Sequence, residues 1–183
     1  MKKHNLVFID IETTGLDPDK HEIIEVGGVI VKQDRKGSET PPFEVIEEFD
    51  LKIKPKRIED ADPVALRINN YDPAMWALAY DLEEVMPIIA QKTAGTIMVA
   101  HNVAFDYGFL DKAFRTTGIE NKMHYHKLDT ISIAFAKLHQ RDDVDRFSLG
   151  SLCDYFGIEN KNAHTALSDA RATFELYKKL MEL

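Results

Sequence analysis

Two apolar runs sit ten residues apart near the start of the chain, and each reads as one strand of a sheet. Leu6 to Ile11 is short, apolar and rich in β-branched and aromatic side chains, so it reads as a buried strand. Thr13-Thr14-Gly15 breaks it. Glu22 to Val31, dense in Ile and Val, reads as a second strand. Residues 32–42 are polar, with Gly37 and a proline pair, and predict a hairpin loop. Phe49 to Ile53 alternates apolar and polar and predicts an edge strand. Three strands with short connections imply an antiparallel meander.

The period then changes. Asp62-Pro63 predicts an N-cap followed by proline in the first turn of a short helix. Residues 70–80 carry no clear period, and Trp76 there suits either core or surface. Leu82, Val85, Met86 and Ile89 recur at helical spacing up to Gly95, and Thr96 to Ala100 is a compact apolar strand. Val103 to Thr117 predicts a helix with Phe105, Phe109, Leu110, Ala113 and Phe114 on one face, closed by Gly118. His126 to Leu128 predicts a last strand. Helices are expected over Thr130 to Leu138, Leu149 to Phe156 and Thr165 to Leu180. A meander followed by alternating helices and strands implies one mixed sheet with helices on its faces, within a single domain spanning 1–183.

Charge opposes one class of partner. Lys plus Arg total 23 and Asp plus Glu 31, a net charge of −8. Such a surface repels nucleic acid at long range, so a polyanion substrate needs a local device, and bound cations are one. The lone cysteine, Cys153, allows no internal disulfide and is expected to be a small buried residue. The N-terminal MKKHNLVFID lacks a full signal-peptide core, and no apolar run reaches the roughly 20 residues of a membrane span. The expectation is a soluble, cytoplasmic protein with no membrane partner.

Against this background three clusters stand out. Asp10 and Glu12 close an apolar strand, where unpaired carboxylates are costly. Their spacing of two puts them on one face, so a cation must sit between them or one must stay protonated. Hard oxygen ligands suit Mg²⁺ or Mn²⁺. Alone, the pair also suits a solvated strand end. His101 to Asp106 ends one strand and starts a helix. Asp106 falls in the first turn, where the dipole favours an anion, Asn102 suits a cap, and His101 suits a hydrogen-bonded structural role. His164 to Asp169 is the third. In one continuous helix the two would stand about 140° apart. With Thr165 as N-cap, His164 lies in the preceding loop and can fold back while Asp169 points inward.

The set resembles the DnaQ-like, or DEDD, 3′–5′ exonuclease superfamily in its histidine-bearing branch. Asp10-Ile-Glu12-Thr-Thr-Gly15-Leu16 is similar to the first family motif, Ala100 to Asp106 to the second, and His164 through Asp169 to the histidine form of the third. The segments from Glu22 to Gly27, Leu128 to Thr130 and Ser148 to Gly157 also look like family segments. The stretch from Pro41 to Trp76 is less typical. The resemblance implies a ribonuclease H-like fold with a five-stranded mixed sheet in order 3-2-1-4-5. It implies two divalent ions, Mg²⁺ or Mn²⁺, about 4 Å apart. Asp10 bridges both, Glu12 and Asp169 complete the site of the first, Asp106 supports the second, and His164 takes a proton from the attacking water. Histidine suits that role because it titrates near neutrality. Thr13, Thr14 and Leu16, with Asn102 and Phe105, are expected beside the terminal nucleotide. Leu16 serves as an apolar platform for its base or else as ordinary core.

The implied reaction is release of 5′-mononucleotides from the 3′ end of DNA, single-stranded or frayed. The implied partners are a nucleic acid with a free 3′ end and a DNA polymerase or another nucleic-acid-processing protein. DNA is favoured because the segments between motifs look like polymerase-proofreading relatives. An exoribonuclease of the same chemistry and a non-catalytic nucleic-acid-binding module are the alternatives.

Overall fold

The structure is a computed structural model describing residues 3–33, 43–160 and 163–183. Five strands form one sheet: β1 (Leu6–Thr13), β2 (Ile23–Gln33), β3 (Phe43–Lys52), β4 (Ile97–Ala100) and β5 (Lys127–Asp129). Their order is β3-β2-β1-β4-β5, as the resemblance implies. β1, β2 and β3 pair antiparallel, and β4 and β5 join in parallel with β1. Six α-helices follow: α1 (Pro63–Ile68), α2 (Leu82–Lys92), α3 (Val103–Thr117), α4 (Thr130–Leu138), α5 (Leu149–Phe156) and α6 (Ala166–Glu182).

The period-two alternation of β1 sorts the core into two layers. Val7, Ile9 and Ile11 pack with Val85, Met86 and Ile89 of α2 and Phe109, Leu110 and Phe114 of α3. Leu6 and Phe8 face the other way, against Ala170, Phe174 and Tyr177 of α6. The Phe8 ring lies 5.0 Å from that of Phe174 and 5.4 Å from that of Tyr177. Each such buried side chain contributes about 1.5–3 kcal/mol. Together they fix how far α6 sits along β1, and so what its first turn meets.

The helix signals act as expected. Asp62 accepts from the Val64 N–H ahead of Pro63, and Gly118 ends α3 with φ 69°. Trp76 resolves as core: it is buried and its Nε1 donates to the Ile24 carbonyl at 2.8 Å. β3 begins at Phe43, six residues before the expected Phe49. Residues Glu44 to Glu48 are all exposed on this outer strand, so no buried face imposes alternation on them. β5 lies one residue later than His126 to Leu128. Most of the expected hairpin loop lies outside the described residues.

Candidate active site

Beyond Phe8 the inward row of β1 turns from apolar to acidic. Asp10 and Glu12 continue the face that Leu6 and Phe8 begin, toward the first turn of α6. Asp10, Glu12 and Asp169 each offer an oxygen within 4.8 Å of the others. β4 pairs with β1 only from Leu6 to Phe8, which leaves the far end of β1 open to the start of α3. Asp106 reaches in there. It is buried, the backbone N–H groups of Ile11 and of Asp106 itself favour its charged form, and its charge acts on Asp10.

The electrostatics follow from crowding. Burial pushes Glu12 up to about 8, aided by Asp169, Glu25 and Asp106, with Lys52 opposing. Burial likewise pushes Asp106 up to about 8, against the two N–H groups that favour its charge. Asp10 is raised well above the ordinary carboxylate range by burial, then by Asp106, Asp169, Glu12 and Glu25. A site that holds its carboxylates protonated by burial, and then by one another's charge, is one that a cation would relieve. Three hard oxygen donors this close suit a divalent ion such as Mg²⁺ or Mn²⁺.

His164 lies in the loop ahead of α6, with Thr165 as N-cap. It is exposed, and its backbone takes the left-handed conformation with φ 68°. That turn brings the His164 N–H to Asp169 Oδ2 at 3.2 Å. Asn160 Nδ2 donates to the other oxygen, Oδ1, at 2.6 Å, and Ser168 steadies Asn160 through its Oδ1 at 2.7 Å. Asp169 is therefore held from two sides.

The expected nucleotide contacts divide. Leu16 is 79% exposed, which rules out ordinary core. Thr13 and Thr14 are buried, and their hydroxyls serve the turn itself: Thr13 Oγ1 donates to the Gly15 carbonyl at 2.6 Å, and Thr14 Oγ1 accepts from the Glu22 N–H at 2.9 Å. Their carbonyls accept from the less typical segment, Thr13 from Asn69 Nδ2 and Thr14 from the Asp62 N–H. Asn102 is exposed and stands at the N-cap position of α3 with φ 72°, but its side chain makes no capping bond. Phe105 is half-buried against Phe109, with ring centroids 5.1 Å apart. His101 has both ring nitrogens engaged, Nδ1 with Thr130 Oγ1 at 2.9 Å and Nε2 with the Phe147 carbonyl at 3.0 Å, and burial lowers its pKa.

Two supporting carboxylates were not singled out from the sequence. Asp129 accepts from the Asn102 N–H at 3.2 Å and from the Ile131 N–H at 2.9 Å, tying the start of α3 to that of α4. Its signal was an N-cap residue between an apolar strand and a helix. Glu25 is the other, and its signal was a lone charge inside an apolar strand.

Residues 7–177 match the family model RNase_T, described as Exonuclease. The chain belongs to this exonuclease family. Among its relatives, the DNA polymerase III PolC-type of Caldanaerobacter subterraneus subsp. tengcongensis is 29% identical over 178 residues, covering 96% of this chain and 11% of that protein. Ribonuclease T of a Shewanella species (strain W3-18-1) is 30% identical over 184 residues, covering 93% of this chain and 78% of that protein. The chain thus spans about a tenth of the PolC-type relatives it matches. In fold it is similar to E. coli Exonuclease I in complex with a dT13 oligonucleotide, with TM-score 0.77 and 21% identity over 97% of this chain and 41% of that one. No helix among the described residues is long and apolar enough to cross a membrane.

Proposed function

We propose that this chain removes 5′-mononucleotides from the 3′ end of DNA, and that residues 1–183 act as one exonuclease unit. The observation that carries the reading is the convergence of Asp10, Glu12 and Asp169 within 4.8 Å, with Asp106 close enough to raise Asp10. Asp10, Glu12 and Asp169, with Asp106 beside them, would hold two divalent ions. Such ions polarise a phosphodiester and neutralise the departing 3′ oxygen. The carboxylates stand on three regular elements, β1, α3 and α6, which supports a site that would bind with little reorganisation. His164 stands outside this set on the approach to Asp169, and as an exposed imidazole it can accept the proton of the attacking water. Leu16, exposed on the turn after β1, offers an apolar surface for the terminal base, with Phe105 on the facing helix. Thr13 and Thr14 act by shaping that turn, since their hydroxyls are already engaged.

The ions also answer the net charge of −8, because they reverse the local sign where a strand end must enter. The similarity to Ribonuclease T favours RNA as the second reading. The proposed partner is a DNA polymerase or another nucleic-acid-processing protein, supported by the PolC-type relatives. The test is turnover with Mg²⁺ of matched DNA and RNA oligonucleotides, labelled at the 5′ or the 3′ end. Stepwise shortening of 5′-labelled DNA, with a labelled mononucleotide released at once from the 3′-labelled strand, is the expected result. Cuts in circular single-stranded DNA overturn the polarity, and faster turnover of RNA overturns the substrate.

A further inference from the structure

Glu25 is a carboxylate that the metal set leaves over. It interrupts the apolar run of β2, and its side chain is only 2% exposed. In register it stands opposite Glu12, and its charge adds to the repulsion on both Asp10 and Glu12. A buried charge that worsens an already crowded site needs a compensating role. Both of its oxygens are committed to fixed groups. Oε2 meets Lys52 Nζ at 2.6 Å, and Oε1 accepts from the Ala166 N–H at 3.2 Å. Ala166 is the first residue of α6, and its N–H is one of the donors that a helix cannot satisfy internally.

The surroundings make this contact rigid. The Lys52 ammonium lies 4.1 Å from the centre of the Trp76 ring, and Trp76 is itself bonded to the Ile24 carbonyl. Two residues beyond Glu25, a Cβ on Gly27 would fall 2.1 Å from the Leu167 nitrogen, so the first turn of α6 rests directly on β2. Phe174 and Tyr177 anchor α6 further along. The Glu25 bond acts at the opposite end, three residues before Asp169 and two after His164.

We propose that Glu25, held by Lys52, is a positioning residue that fixes the start of α6 so that Asp169 and the His164 turn reach the Asp10–Glu12 pair. The proposal rests on the metal-dependent reading above and adds a residue that touches neither ion nor substrate. It also gives the atypical segment a part, since Trp76 supports Lys52.

The test is Mn²⁺ affinity of the full chain by calorimetry, in Glu25→Ala, Glu25→Gln, Ala166→Pro and Asp169→Ala, with melting curves as the folding control. Glu25→Ala is expected to weaken Mn²⁺ by roughly 10–100-fold, the scale for an outer-shell partner of a ligand. Glu25→Gln keeps an acceptor for the Ala166 N–H and should lose far less. Ala166→Pro removes the donor, at a position where proline suits a helix, and should behave like Glu25→Ala. In the Asp169→Ala background, Glu25→Ala should cost nothing further, because its effect passes through Asp169. Equal losses in Glu25→Gln and Glu25→Ala, persisting without Asp169, would mean a direct charge effect and overturn the proposal. Unchanged affinity in Glu25→Ala overturns it too. If Glu25→Ala does not fold, affinity kept in Glu25→Gln and lost in Ala166→Pro is the expected pattern, and any other overturns it. Metal binding is read without turnover. A wild-type chain that binds Mn²⁺ but cleaves nothing overturns the proposed activity and leaves this test standing, whereas one that binds no Mn²⁺ sinks both.

Discussion

Stripped of divalent ions, the protein should lose stability as pH rises from about 5 to 8, and the ions should abolish that loss. Glu12 is raised from 4.5 to about 8 in the fold, first by burial and then by Asp169, Glu25 and Asp106. Asp106 is raised from 3.8 to about 8, again by burial first. In the unfolded chain both groups release their protons near their ordinary values. Between those values and about 8 the unfolded chain therefore binds fewer protons than the folded one, and raising the pH favours unfolding. The stabilisation is complete below the unfolded pKa and gone above the folded one. For Glu12 the shift from 4.5 to about 8 corresponds to about 5 kcal/mol at about 1.4 kcal/mol per unit. The carboxylates titrate as a cluster, so this is the scale for the site rather than for each member. At about 2–4 °C per kcal/mol for a domain of this size, Tm in chelator should fall by roughly 10–20 °C across the window. Circular dichroism melts at pH 5, 6, 7 and 8, in chelator and in saturating Mg²⁺, measure it. Glu12→Gln, which cannot ionise, should flatten the chelator curve. A Tm that is level or rising with pH in chelator, or the same slope with Mg²⁺, refutes the account of the site as a repulsive cluster awaiting cations.

Other substitutions separate the roles. Asp10→Ala should abolish cleavage yet melt no lower than wild type in chelator, because it removes one of several mutually repelling charges; normal activity in Mg²⁺ would remove Asp10 from the site. His164→Asn is preferred to alanine because Asn tolerates the left-handed backbone at φ 68°. It should lose roughly 10²–10⁴-fold in rate and keep Mn²⁺ affinity. Loss of Mn²⁺ affinity in step with the rate would instead make His164 a ligand.

What the sequence reveals depends on whether a residue's neighbours are local. The meander, α3 and the first turn of α6 are legible because period and caps are short-range. Asp10 and Glu12 stand out because a strand end this apolar should not carry them. Leu16 is undecided in the sequence because a leucine after a breaker suits core or surface alike, and only the path of the turn exposes it. Trp76 is opaque for the same reason, since its partner Ile24 lies 52 residues away. The hydroxyls of Thr13 and Thr14 look available in a motif, but the turn consumes them. Asn160 carries no signal at all: its bond to Asp169 depends on how the chain returns to α6. Glu25 was detectable as a buried charge, but its partner Ala166 is 141 residues distant, so its purpose was not.

β3 has a consequence for how copies of this protein coexist. It is the outer strand on its side of the sheet, ten residues long, and such a rim offers unpaired backbone groups to any strand that slides alongside. It carries Glu44, Glu47, Glu48 and Asp50, a dense row of one sign. Lys32 of β2 pairs with Glu44, and Lys92 and Arg171 tether Glu47 and Glu48 to neighbouring helices, yet such exposed pairs are weak and the four carboxylates outnumber these three cations. Two such rims brought together would repel before their backbones could pair. Glu44→Thr combined with Glu47→Thr should therefore raise concentration-dependent light scattering, and an unchanged sedimentation profile would show that something else guards the strand. The acidity that works against a polyanion at long range should, along this strand, keep one molecule from continuing the sheet of the next.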